Sequence, residues 1–319
     1  MKVFISYILV ILIWSTTPLA IHISSDDLGF ILSVTARMTL GAALVWACLL
    51  ILRKPLFFNK DSWRLYLAAS IGVFPNMPLV YWAAEKIPTG LISLLFSTSP
   101  FFVGLLSKII LKEKIGFHRI VGMAIAFVGM AVVFSDQVRF GPEAVAGIVA
   151  MVMSTFLFST SAVLIKKLGV NSGPLEQSAG SMLFALPGLW ITWFMLGAQT
   201  PAEIHWLPTL SLAYLVVVGS LVGFSVYFFL LKNLSASTVS LTSMISPIFA
   251  MFLGTFFNNE LFNPLLIWGA AVLLVGLGVY LGLVKRVMGF FVKKPPVESD
   301  ITNSDEGSFT SDFAASKVK

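Results

Sequence analysis

The chain has 319 residues, 57% of them hydrophobic and only 11% charged, and its mean hydropathy is +0.92. A soluble domain carries about 25% charged residues, so charge this sparse cannot cover a water-facing surface and lipid must be the solvent for most of the chain. The formal charge of +6 does not indicate nucleic acid, because the basic residues sit between apolar runs and not along one amphipathic face. The single cysteine, Cys48, excludes an intrachain disulfide and a cysteine-based metal cluster.

In hydrocarbon every backbone N–H and C=O must be paired internally, which leaves helices or a closed barrel. The apolar runs are continuous and do not alternate, which selects helices. Met1-Lys2 followed by Val3–Trp14 resembles a signal peptide. No small-x-small cleavage site follows, however, and the apolar run continues to Ile23, so it reads as an uncleaved first helix. Spans are predicted in chain order near 3–23, 30–52, 66–84, 89–111, 118–134, 145–168, 178–197, 207–231, 236–257 and 265–284. Each is close to the length that a hydrocarbon core of about 30 Å demands. With the N-terminus inside, all but three of the 21 Lys and Arg residues fall on the cytoplasmic side. Lys86 and Arg139 lie opposite, and Arg37 lies within a span. This is the bias that orients membrane helices, and it puts both termini in the cytoplasm. Residues 287–319 are rich in Lys, Ser and Asp and read as a disordered tail.

The chain repeats itself. An offset of 147 aligns 88–134 with 235–281 without a gap, matching Ser93 to Ser240, Ser99-Pro100 to Ser246-Pro247, Glu113 to Glu260, Gly122 to Gly269 and Gly129 to Gly276. Trp14-Ser15-Thr16-Thr17 is echoed by Phe158-Ser159-Thr160-Ser161 at an offset of 144. Five spans per half is an odd number, so the two halves (1–139 and 140–286) are expected in opposite orientations. That is the inverted repeat of secondary transporters, with substrate held between the halves near the midplane.

These residues resemble the drug/metabolite transporter superfamily, and within it the ten-helix EamA family. The resemblance is carried by Leu12-Ile13-Trp14-Ser15, Ala36-Arg37, Ser99-Pro100, Lys112-Glu113-Lys114 with Gly122 and Gly129, and in the second copy by Ser246-Pro247, Asn259-Glu260-Leu261, Gly269 and Gly276. It covers about residues 5–283 and implies an all-α inner-membrane transporter of two inverted five-helix repeats that works by alternating access. It also implies a central cavity lined mainly by helices 1, 3, 4, 6, 8 and 9, and it points to export of amino acids or related metabolites.

Candidate residues follow. Pro100 and Pro247 remove helical hydrogen bonds at equivalent positions and read as gating hinges or static kinks. Pro75-Asn76-Met77-Pro78 breaks the third span, while Gly219 and Gly223 weaken the eighth at the corresponding place. Asn76 is either a substrate contact or the partner of a freed carbonyl. Trp14, Tyr81, Phe158 and Tyr227 supply aromatic rings and Thr17, Ser97, Ser99, Ser243 and Ser246 supply hydroxyls, with lipid contact and helix packing as the alternatives. Arg37 is either an anion contact or a cation that reaches the outer interface. Glu113 and Glu260 read as caps or interfacial ion-pair partners, with a gate latch as the sharper alternative.

The span interiors carry no acidic residue, and His22, His118 and His205 lie near span ends, so no proton relay is evident. No nucleotide loop, zinc-ligand spacing or nucleophile elbow is found. The expected function is secondary transport of a small amphipathic metabolite. No cofactor is expected, a small-molecule substrate and the bilayer are the expected partners, and homodimerisation is left open. A membrane enzyme would need a clustered catalytic constellation, and a sensor or scaffold would normally carry a soluble domain.

Overall fold

The computed structural model describes residues 1–54, 60–112, 116–137, 141–169, 172–197, 200, 201, 203, 205–258, 264–280 and 282. The Glu113 and Glu260 assignments and the tail from 287 onward lie outside these residues. Among the described residues all regular structure is helical. In order the helices are α1 (Lys2–Ile51), α2 (Lys60–Ser70), α3 (Asn76–Ala84), α4 (Thr89–Phe96), α5 (Ser99–Ile110), α6 (Phe117–Gln137), α7 (Pro142–Leu168), α8 (Pro174–Met195), α9 (Trp206–Tyr214), a π-helical segment (Leu215–Val222), α10 (Gly223–Asn233), α11 (Ala236–Ser240), α12 (Thr242–Asn258) and α13 (Pro264–Tyr280). Five stretches are long and apolar enough to cross a bilayer: Lys2–Ile51, Thr89–Ile110, Pro142–Leu168, Pro174–Met195 and Trp206–Asn233. Phe117–Val132 and Ile267–Tyr280 are shorter and also apolar.

The breaks differ in kind from the predicted loops. The expected loop at 24–29 is helical almost to its end, and the chain turns at one residue, Gly29, with φ 67° and ψ 162°. A side chain rarely adopts that conformation, and glycine adopts it without penalty. Ser24 and Ser25 keep the preceding turn closed by donating to the Ile21 carbonyl at 3.0 and 2.9 Å. The first N–H beyond the corner, on Phe30, is taken by the Glu85 carboxylate at 2.9 Å.

The stretches 89–110 and 236–258 are also divided. Ser97 and Thr98 separate α4 from α5 and donate their hydroxyls to the Leu94 and Leu95 carbonyls, both at 2.6 Å. Pro100 therefore lies in the first turn of α5, where a missing N–H costs nothing, and not within a continuous kinked helix. Pro247 is inside α12, and the break that precedes it falls at Leu241, earlier than the repeat register predicts. The Pro75 region does interrupt the helix, between α2 and α3, and its counterpart is the π segment around Gly219. Both halves thus lose regular α-geometry at corresponding places, by different means.

The helices α6 and α13, which the 147-residue offset makes equivalent, pack directly on one another. A Cβ on Gly122 would lie 2.6 Å from the Gly276 carbonyl oxygen, and one on Gly129 would lie 2.8 Å from the Gly269 carbonyl oxygen. Gly122 corresponds to Gly269 and Gly129 to Gly276, so the two contacts are one contact seen twice. As the number rises on α6 it falls on α13, and the pair is antiparallel.

Candidate functional site

A cavity of about 90 Å³ is lined from α1, α3, α4, α7, the π segment, α10 and α12. Drug-sized pockets are several times larger, roughly 300–1,000 Å³, so this is space for a small ligand. Of the predicted site residues, Trp14, Thr17, Arg37, Asn76, Phe158 and Ser246 line it. Ser99 and Tyr227 line a second, smaller space, to which Trp14 and Phe158 also contribute. Tyr81, Ser97, Ser243, Pro100 and Pro247 border neither.

Four rings separate the two spaces. Trp14 meets Phe96, Phe158 and Tyr227 at centroid distances of 5.6, 5.6 and 5.5 Å. Phe158 meets Phe96 at 5.0 Å and Tyr227 at 5.1 Å. The wall forms because equivalent helices bring Trp14 and Phe158 face to face. Below it the Tyr227 hydroxyl is buried and has no hydrogen-bond partner among the described residues.

Most of the predicted hydroxyl donors are committed to backbone. Thr17 donates to the Ile13 carbonyl at 2.7 Å, Ser243 to the Ser240 carbonyl at 2.7 Å and Ser246 to the Thr242 carbonyl at 3.3 Å. The Ser99 and Ser243 hydroxyls lie 3.1 Å apart. Their protons stabilise helix ends and turns, and their lone pairs remain as acceptors. Asn76 is engaged at both ends. Its amide N–H donates to the Gly72 carbonyl at 2.9 Å, and its carbonyl oxygen accepts from Ser154 at 2.6 Å. It rebuilds the hydrogen bonding that the Pro75 break disrupts and ties α3 to α7.

Arg37 does not reach the outer interface. It is 2% exposed and lies against the cavity, with Nε donating to Ser220 Oγ at 3.1 Å and Nη1 to the Tyr81 hydroxyl at 3.2 Å. The site therefore extends to the second arm of α1, beyond the helices that the resemblance implied.

Polar ties gather around the Gly29 corner. His22 Nδ1 lies 2.9 Å from the Ala84 carbonyl oxygen. Asp27 accepts the His205 backbone N–H at 2.7 Å and faces its ring Nδ1 at 3.0 Å, joining the corner to the start of α9. These bonds, the backbone one first, hold the Asp27 carboxyl below the usual carboxylate range. Burial pushes the Glu85 carboxyl up, against the opposing pull of the Phe30 N–H, Lys86 and His22. Lys86 pairs with Glu143 at 2.9 Å, joining the end of α3 to the start of α7.

Sequence reasoning missed Pro18, Ser93, Phe96 and Phe224 as lining residues. Ser93 carried a signal in its match to Ser240. Pro18 carried one as a proline within an apolar run, where it leaves the Trp14 carbonyl without its usual donor. Phe96 and Phe224 carried none that separates them from lipid-facing rings.

Residues 1–135 and 145–282 each match the EamA-like transporter family. The chain is 24% identical over 278 residues to the uncharacterized transporter YoaV of Bacillus subtilis, covering 86% of this chain and 95% of that protein. It is 26% identical over 280 residues to a probable terminal-alkyne amino-acid exporter of Streptantibioticus cattleyicolor, covering 84% and 90%. It is 22% identical over 277 residues to the S-adenosylmethionine/S-adenosylhomocysteine transporter of Chlamydia trachomatis, covering 83% and 84%. A solved crystal structure aligns with a TM-score of 0.63 at 18% identity, covering 89% of this chain and 98% of that one, a likeness of fold.

Proposed function

Since the chain belongs to the EamA-like transporter family of the drug/metabolite transporter superfamily and is a multi-pass membrane protein, we propose that it carries a small amphipathic metabolite, such as an amino acid or a related compound, by alternating access between two inverted halves. The halves are 1–139 and 140–286, followed by a cytoplasmic tail at 287–319. Ten crossings place both termini on the cytoplasmic face of the inner membrane.

The observation that carries this reading is the position of the cavity. Its lining is drawn from both family-matched segments, with Trp14 and Phe158 meeting at its floor. Support for inversion comes from the antiparallel, self-equivalent glycine contacts of α6 and α13, because only an axis in the membrane plane relates antiparallel copies. The four-ring wall on one side of the cavity and the ties around Gly29 on the other act as the two barriers. Pro100 and Pro247 act as hinges near the wall. The lining suits an apolar body with a few orienting polar contacts, provided by Thr17, Asn76 and Ser246 and, in the smaller space, Ser99 and Tyr227. Ser97 and Ser243 support the helix breaks beside it. Export follows the Streptantibioticus relative.

The test is flux from proteoliposomes loaded with a panel of amino acids, their derivatives and S-adenosylmethionine. Saturable efflux of one class, lost on collapse of the wall by Trp14→Ala, is the expected result. Absence of protein-dependent flux for every member of the panel would refute the reading.

A further inference from the structure

Resting on the transport reading, we propose that Arg37 anchors a carboxylate of the substrate, so that the cavity takes small organic carboxylates whose apolar body lies against Trp14, Phe96 and Phe158. A guanidinium carries five N–H donors and cannot shed its proton in a protein. Two donors are spent on neutral hydroxyls, those of Ser220 and Tyr81. Three remain, and no carboxylate among the described residues pairs with the group. A buried, fixed positive charge is costly unless an anion meets it, and a carboxylate matches the planar fork with two parallel hydrogen bonds.

The side chain is held for that task. Tyr81 and Ser220 grip it from α3 and the π segment, and the Tyr81 ring centroid lies 6.0 Å from its central carbon. The free Nη2 is kept clear by Gly219, where an added Cβ would lie 2.7 Å away. The π turn brings Gly219 and Ser220 to the cavity together, and π segments often occur at functional sites for this kind of reason. A second, independent vacancy in hydrogen bonding lies in the same wall. The Ser93 hydroxyl lines the cavity, is 4% exposed and has no partner among the described residues. It offers a bound carboxylate or an adjoining polar group one further donor. The lining contains no carboxylate to balance an ammonium, so the site asks for the acid group and is indifferent to an amine.

The test uses the full chain in lipid nanodiscs and calorimetric titration with phenylacetate, its neutral isostere phenylacetamide, and 2-phenylethylamine. Wild-type protein should bind phenylacetate at least about tenfold more tightly than the amide or the amine, as charge-assisted pairing requires. Arg37→Gln should abolish that preference, and Gly219→Ala should weaken it while leaving the charge in place. Ser93→Ala should cost a few-fold. Equal binding of acid and amide by wild-type protein would overturn the proposal even if Arg37→Gln fails to fold, as would a folded Arg37→Gln protein with wild-type preference. Flux of amines or amides without any acid preference would remove the anchor and leave transport standing. Acid-selective binding without flux of any panel member would do the reverse.

Discussion

Trp14 and Phe158 occupy equivalent places in the two halves and touch each other edge to face, ring centroids 5.6 Å apart. Their surroundings repeat as well. Ser15 donates to the Ile11 carbonyl and Ser159 to the Thr155 carbonyl, both at 2.7 Å, and Thr16 and Thr160 likewise reach back four residues. A resemblance between two sequence segments is thus a contact across the centre of the molecule. Any motion that separates the halves must part these rings, which makes the pair a barrier as well as a packing element.

The ring pair should show measurable coupling. Aromatic pairs contribute about 0.5–1.5 kcal/mol beyond the area they bury. A double-mutant cycle with Trp14→Leu and Phe158→Leu should therefore give a coupling of about 1 kcal/mol in detergent unfolding. Additive effects would mean that the two rings are held by their other neighbours alone.

Glycine substitutions should separate close packing from backbone strain. Gly122→Ala and Gly276→Ala drive a Cβ into the backbone of the facing helix, and overpacking of this kind costs about 1–3 kcal/mol. Gly29→Ala meets no atom within 4 Å and suffers only from its φ of 67°, a strain of about 1–2 kcal/mol. Melting temperatures should fall for all three. Only the α6–α13 variants should also lose the long-lived, monodisperse state seen by size exclusion.

Asn76→Ala leaves the Gly72 carbonyl and the Ser154 hydroxyl unpaired. Interhelical hydrogen bonds in membranes are worth roughly 0.6–1.7 kcal/mol, and the loss in stability should fall in that range. Ser154→Ala should give a smaller loss, because the Asn76 amide keeps its bond to Gly72. Equal stability of wild type and Asn76→Ala would remove Asn76 from the account of the α2–α3 break.

The corner around Gly29 should respond to pH in two opposite ways. Glu85 has a folded-state value raised above its ordinary 4.5. The folded protein holds this proton more tightly, so its contribution is complete below about 4.5 and is lost as pH rises through the raised value. Asp27 is lowered from 3.8, so its contribution is present above that value and is lost as pH falls through the lowered one. Glu85→Gln should flatten the thermal-stability profile in the mildly acidic range, and Asp27→Asn should flatten it below about 4. A Glu85→Gln profile identical to wild type would remove Glu85 from the pH response.

The helical membrane fold was legible in the sequence because lipid imposes one rule on every apolar run, and the repeat was legible because Pro100, Pro247 and the paired glycines sit in register. The glycine pairs also foretold a packing site. Helix interruptions were less readable. The Gly29 corner looked like a six-residue loop because Ser24, Ser25, Asp26 and Asp27 are polar, whereas serine hydroxyls can cap a helix from within. The aromatic wall was half legible. Trp14 and Phe158 were marked by the repeat, but Phe96 is one phenylalanine among 28, and nothing local says which rings face inward. Arg37 could be seen as an intramembrane charge, but its partners Tyr81 and Ser220 come from distant segments that only the fold brings together.

The central claim is that two halves open alternately on a shared cavity, and it can be tested by locking them. Lys86 and Glu143 meet at 2.9 Å between the end of α3 and the start of α7. With Cys48 replaced by serine, Lys86→Cys and Glu143→Cys can be joined by a short reducible thiol cross-linker. Flux of the transported panel member in proteoliposomes should stop on cross-linking and recover on reduction, while each single-cysteine protein stays active. Undiminished flux with the cross-link formed would contradict the account.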